Sequence, residues 1–306
     1  SLDKLINDIR KLTVLYREWS TFENVDVVGL QYIRQMKRDL PPLVFQTSIL
    51  SRRIEKLSDG FYPNFRDSLH TYICNNNTAI QDAVLSNNKA SLDSYGCLMD
   101  GDVDLKAPIS VAFDFNANIN WLVAGQRSGQ TLKVIKSFYV KYERKLRELV
   151  DDFCHYYRAH LTKDVVFYYD STALGSNYAV SDDDFASIIT EQFNKHGWHV
   201  EKIFIGKPMR HSEKYTILDD GFKGTKHLLP MFNKENNEAL LIALSLAEVV
   251  ISHLGFHKNK GGEKLAESED DPLEYRTDGT DAFDTLYIGN ALYPYSFSGV
   301  GLGSAL

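Results

Sequence analysis

Apolar and polar positions change their period near residue 100, and the change divides the chain. Over residues 3–20, Leu5, Ile9, Leu12 and Leu15 or Tyr16 recur at helical spacing, which predicts a helix. A second helix is predicted along VDVVGLQYIRQMKRDL, starting after Asn24. It stops at Pro41-Pro42, because proline brings no N–H and its ring blocks the preceding turn. VFQTSILSRRIEKL predicts a third helix, ended by Asp59-Gly60. Residues 60–106 are rich in Asn, Asp and Ser and read mostly as loop with short pieces. Residues 1–106 are therefore expected to be a helical and irregular appendage, and 107–306 the main domain.

From Pro108 the period becomes two. ISVAFDF, INWLVAGQ and TLKVIKSFYV alternate and are rich in β-branched and aromatic residues. Asn116-Ala117-Asn118 and Ser128-Gly129 separate them, so an antiparallel meander is predicted. YERKLRELVDDFCHYYRAHL reads as helix and VVFYYD as a short buried strand. DDDFASIITEQFNKHG reads as a helix capped by Ser181 and closed by Gly197, followed by the strand WHVEKIFIG. Strand–helix–strand units favour parallel pairing through right-handed crossovers. Three hairpin-linked strands, then helix, strand, helix, strand and further helices is the ribonuclease H-like order. The expected fold is α/β, a mixed central sheet flanked by helices.

Four carboxylates stand out by position. Asp114 lies near the end of the first strand between two phenylalanines, and Asp170 ends the fourth. Asp281 and Asp284 are three apart in a predicted C-terminal helix, so both fall on one face. A strand-end Asp often only caps the next turn. Here all four fall where this topology brings strand ends and helix together. Converging carboxylates repel each other unless cations lie between them. Two Mg²⁺ or Mn²⁺ ions about 4 Å apart would meet that need and clamp a phosphodiester during hydrolysis. Oxygen ligands also suit these ions better than zinc.

Composition adjusts this picture. The net charge of −7 argues against holding nucleic acid through bulk positive charge. Basic residues do gather locally. Lys207, Arg210, His211 and Lys214 follow the fifth strand, with Lys223, Lys226 and His227 soon after. His257, Lys258, Lys260 and Lys264 lie in GFHKNKGGEK, whose Gly-Gly predicts a mobile loop. Both segments could grip DNA phosphates or could simply be solvated charge. Cys74, Cys97 and Cys154 form no CxxC and are expected to be reduced thiols. His196 and His199 have no third ligand nearby for zinc, and Trp121, Tyr168, Tyr169 and Trp198 are expected in the core. The start of the chain lacks signal-peptide character, and no apolar run reaches the roughly 18 residues of a membrane span. No GxxxxGK[ST] is present, and the glycine-rich GVGLGSAL reads as a flexible tail.

AFDFNANINWLV, VFYYDSTALG, IGKPMRHSEKY, MFNKENNEALLIAL and DPLEYRTDGTDAFDTLYIG together resemble the C-terminal nuclease part of a tailed-phage terminase large subunit. The resemblance is in particular to the phage or prophage kind of gut Bacteroides relatives. YREWSTFENVDVV and PPLVFQTSILSRRI resemble the region that joins the packaging ATPase to the nuclease, so 1–106 is expected to be a linker after an ATPase that this chain lacks. The resemblance implies an endonuclease that cuts concatemeric viral DNA in the cytoplasm of the bacterial host. Its implied partners are double-stranded DNA, portal protein and the small terminase subunit, with the isolated chain a monomer. By the same resemblance Asp114 and Asp170 match the first- and fourth-strand metal ligands, and Asp281 or Asp284 the third. Asp278 is a weaker match, and Thr277 and Thr280 stand where some relatives carry a histidine.

Two other readings compete. One is a catalytically weak docking module that binds DNA, portal or small subunit; the intact aspartates speak against it. The other is a resolvase or transposase on the same fold, which the first 106 residues do not support.

Overall fold

The computed structural model describes residues 20–39, 60–85, 95–175, 184–252, 255–260 and 273–295. The helices expected over 3–20 and 44–57, the Ser181 cap, Gly261-Gly262 and GVGLGSAL lie outside the described residues. The chain divides into two compact units, Ser1–Lys56 and Leu57–Leu306.

In the first unit, a 3-10 turn at Thr21–Asn24 and one helical turn at Val25–Val28 precede α1 (Leu30–Asp39). The second expected helix is thus interrupted at Gly29, whose φ of +79° leaves the helical region, a conformation only glycine adopts without strain. Ile33 is buried against Val25, Val28 and Met36.

The second unit is built on a seven-stranded sheet. Its strands are β1 (Thr71–Tyr72), β2 (Ile109–Phe115), β3 (Ile119–Ser128), β4 (Thr131–Lys141), β5 (Asp164–Tyr169), β6 (His199–Phe204) and β7 (Leu229–Asn233). Their order across the sheet is β1-β7-β4-β3-β2-β5-β6. The meander β2-β3-β4 is antiparallel, while β5 pairs parallel with β2 and β6 with β5. That core is the ribonuclease H-like arrangement, and β7 and β1 extend it in parallel beyond β4. The sequence does not predict β7. LPMFN is short and contains Pro230, which seldom sits inside a strand. A small antiparallel hairpin, β8 (Val249–Ser252) and β9 (Gly255–Lys258), lies apart from the sheet. GFHK is therefore strand, where the sequence predicts a loop.

Helices cover both faces. On one side α3 (Leu146–Tyr156) and α4 (Phe185–Lys195) pack Leu149, Phe153, Ile189 and Phe193 against Val111, Phe113, Val165 and Phe167. On the other, α5 (His211–Phe222), α6 (Glu238–Leu246) and α7 (Asp278–Leu292) pack Phe222, Leu244, Phe283 and Tyr287 against Trp121, Val123, Val166 and Phe232. Burial on both faces explains why β2 and β3 read as nearly continuous apolar runs. The helix α2 (Asn77–Leu85) falls in the stretch that reads mostly as loop. Parts of residues 60–106 are built into the body: Phe61, Tyr62 and Phe65 join the α7-side core. The cap of α4 is Asp184, whose side chain accepts from the Ser187 N–H at 2.6 Å. Cys97 and Cys154 are buried free thiols, and burial pushes them up to about 11 and about 12.

The helix α7 is buried almost all round, and glycine lets it lie flat on the sheet. A Cβ at Gly289 would stand 2.3 Å from Cγ of Tyr168. Gly289→Ala should therefore cost about 1–3 kcal/mol through overpacking. Thermal unfolding checks this: the midpoint falls by about 2–4 °C per kcal/mol lost in a unit of this size. An unchanged midpoint would mean that the helix and the ring can part freely.

Candidate active site

Side chains alternate along a strand, so Ala112 and Asp114 share the face that carries α7, while Phe113 points to the α3 side. Along β5, Val166 and Tyr168 share that α7 face, and Asp170 is next in the same alternation. The parallel register pairs Ile109 with Val165 and Val111 with Phe167. Continued at the same offset, it sets Asp114 beside Asp170 at the carboxyl ends of two adjacent strands, where α/β sheets open into crevices. The first turn of α7 lies over this edge and supplies Asp281.

The three carboxylates line one cavity of about 160 Å³. His211 and Lys214 from α5 and Lys260 after β9 also line it, with aromatic residues of β2 and β5 among the rest of its wall. Sequence positions 114, 170 and 281 are thus brought together. Asp284 does not line the cavity; it is fully buried one turn deeper. Its Oδ1 accepts from the Tyr62 hydroxyl at 2.7 Å, and its Oδ2 from Lys258 Nζ at 2.8 Å. Lys214 Nζ stands 3.9 Å from the same Oδ2.

Each cavity carboxylate has local support. Asp114 Oδ2 accepts from the Asn116 amide at 2.7 Å, and that amide also donates to Asp278. Asp170 Oδ1 accepts from the Thr172 N–H at 2.8 Å and its hydroxyl at 2.6 Å, capping the short turn Ser171–Leu174. Asp281 Oδ1 accepts from Lys258 Nζ at 2.8 Å, and Oδ2 from Lys260 Nζ. Burial alone would raise the Asp281 carboxyl, but Lys258, Lys260 and Lys214 together hold it well below the usual carboxylate range. Burial, aided by Lys214, lowers the His211 imidazole, so the ring is neutral near pH 7. Its Nδ1 accepts from the Lys258 N–H at 3.2 Å, which leaves the proton on Nε2.

The other basic positions separate. Lys207 and Arg210 are exposed beside the cavity mouth, and Lys260 is half-buried at its wall. Lys258 is fully buried and cannot reach a phosphate outside, contrary to the expectation for GFHKNKGGEK. The local sequence is basic and glycine-rich, but hydrophobic rings and α7 enclose that one ammonium. His196 pairs with Asp151 at 2.6 Å, and His199 approaches Asp164 at 3.6 Å. Tyr62, Asn116 and Thr280 escape sequence reasoning as parts of the site. Asn116 has a local signal, two residues from Asp114, and Thr280 another, next to Asp281.

The three carboxylates of the cavity are oxygen donors, which suit a hard divalent cation. Among the described residues no three His, Cys, Asp or Glu stand at ligating separation, and lysines already engage both oxygens of Asp281. Asp114 and Asp170 are the pair best placed to hold an ion. No described helix is long and apolar enough to cross a membrane.

No protein-family model and no curated protein sequence matches the chain. Among solved structures, the large terminase of a thermophilic bacteriophage is similar, with 12% identity, a TM-score of 0.43, and coverage of 94% of this chain and 58% of that one. The nuclease domain of the large terminase from bacteriophage SPP1, with bound Mn, is similar over 60% of this chain and 86% of that one, at 11% identity and a TM-score of 0.35. Thermus thermophilus RuvC is similar over 60% of this chain and 93% of that one, at 13% identity and a TM-score of 0.26. The chain thus spans 58% of the length of the first of these, the thermophilic phage terminase. At these identities the fold rests on the chain's own strand order.

Proposed function

We propose that this chain is a divalent-metal-dependent DNA endonuclease of the large-terminase kind, cutting concatemeric viral DNA during genome packaging. Residues 107–306 carry the nuclease carboxylates, and 1–106 follow a packaging ATPase as a linker whose second part, from 57, is folded into the nuclease body. DNA, portal protein and small terminase subunit are its partners, and the host cytoplasm its place of action. One observation carries the reading: Asp114, Asp170 and Asp281, from three elements distant in sequence, line a single cavity at the carboxyl ends of parallel strands.

In this reading Asp114 and Asp170 hold the ion, with Asn116 and Thr172 fixing their carboxylates. A Mg²⁺ or Mn²⁺ held there would supply Lewis-acid activation of water and of the phosphodiester. Lys207 and Arg210 at the rim draw in the DNA backbone. Lys214, nearly buried at the cavity wall, offsets charge that gathers on the phosphate. His211 Nε2–H can donate to a phosphate oxygen without adding charge.

A second reading has its own observation. Lys258 and Lys260 already neutralise Asp281, so the site can stand without a metal and the domain can serve as a docking module. Plasmid cleavage separates the two. The wild-type chain in Mn²⁺ or Mg²⁺ should nick and linearise supercoiled plasmid, with EDTA abolishing cleavage and Asp114→Ala losing it. A folded wild-type chain that leaves plasmid intact in both metals would favour the docking module.

A further inference from the structure

We propose that Lys258 is a resident cation standing where a second metal ion would otherwise be needed, so that the cavity takes one divalent ion, held by Asp114 and Asp170. This inference rests on the metal-nuclease reading above and fixes how many ions that site uses.

The surroundings of Lys258 are those of a bound cation. Its Nζ meets four oxygens: the Tyr62 hydroxyl at 2.9 Å and Thr280 Oγ1, Asp281 Oδ1 and Asp284 Oδ2, each at 2.8 Å. The Phe61 and Tyr62 rings lie 4.9 and 5.3 Å from it, so aromatic faces add to the shell. The side chain is 0% exposed. Two carboxylates on one face of α7, one fully buried and one nearly so, demand a counter-charge, and a tethered ammonium supplies it.

The ammonium and a metal ion exclude each other at this place. Mg²⁺ draws its oxygens to about 2.0–2.1 Å, closer than this shell allows. Lys258 also cannot easily leave. Its residue pairs with Val249 in the β8–β9 hairpin, and its N–H is taken by His211. Asp281 therefore offers at most Oδ2, the oxygen held by Lys260, whose side chain is 39% exposed.

The test is Mn²⁺ titration of the metal-stripped full chain, followed by calorimetry and by electron paramagnetic resonance. One Mn²⁺ per chain with the spectrum of an isolated ion is expected, and Asp170→Asn should weaken that binding at least about tenfold. Two Mn²⁺ per chain with a spin-coupled signal would overturn the resident-cation assignment while leaving the nuclease reading intact. One ion that Asp170→Asn leaves undisturbed would also overturn it, because the ion would then sit elsewhere. Absence of any Mn²⁺ binding would overturn both.

Discussion

The Asp170→Asn variant is expected to lose cleavage by about a thousandfold or more while unfolding within a degree or two of wild type. The two halves of this expectation have different causes. Asparagine keeps an oxygen at the position of Oδ1, so the Thr172 N–H and hydroxyl keep their acceptor and the cap survives. The negative charge is lost, and with it half of the pair that would hold the ion. A metal's stabilisation of the transition state amounts to several kcal/mol, and about 4 kcal/mol corresponds to a thousandfold in rate. Initial nicking rates of supercoiled plasmid in Mn²⁺, beside circular-dichroism melts, give both numbers. Cleavage at the wild-type rate would remove Asp170 from the site.

Lys258→Met should destabilise the second unit by about 3–5 kcal/mol. Methionine fills much of the same volume, so lost packing is not the main cost. The cost is that Asp281 and Asp284 would share one buried helix face without their common counter-ion. At about 2–4 °C per kcal/mol, the midpoint falls by roughly 6–20 °C. Lys223→Met provides the contrast. Its partner Asp219 lies in the last turn of α5, just before it, and its own side chain is 46% exposed, so the loss should be small beside that at Lys258. Adding Asp284→Asn to Lys258→Met removes one stranded charge and should recover part of the loss. A Lys258→Met variant that melts with wild type would show that solvent reaches these carboxylates.

Much of this architecture is legible in local pattern. The meander 109–141 is legible because its strands are apolar and rich in β-branched and aromatic residues, and turn residues mark its corners. Asp114 and Asp170 stand out because a charge at the end of an apolar strand needs a reason. Other features have no local trace. The strand β7 is fixed by pairing with β4 across nearly a hundred residues, and Pro230 argues against it locally. The bond of Tyr62 to Asp284 spans 222 residues, and nothing near Tyr62 announces it. Lys258 shows the limit most clearly. Its neighbours His257, Lys260 and Gly261 suggest an outward basic loop, yet rings from Phe61 and Tyr62 and the carboxylates of α7 enclose it.

The order of synthesis gives α7 a further meaning. A ribosome releases β2, β3 and β5 well before Asp278–Leu292, the segment that seals Trp121 and Tyr168. Until then the part of that face which α7 covers stays bare, an apolar surface that chaperones hold and that aggregates if left alone. Asp114 and Asp170 are already paired by the sheet at that stage, but the cavity has no third wall and no Asp281. The cavity is whole only when residue 292 has left the ribosome and α7 has docked.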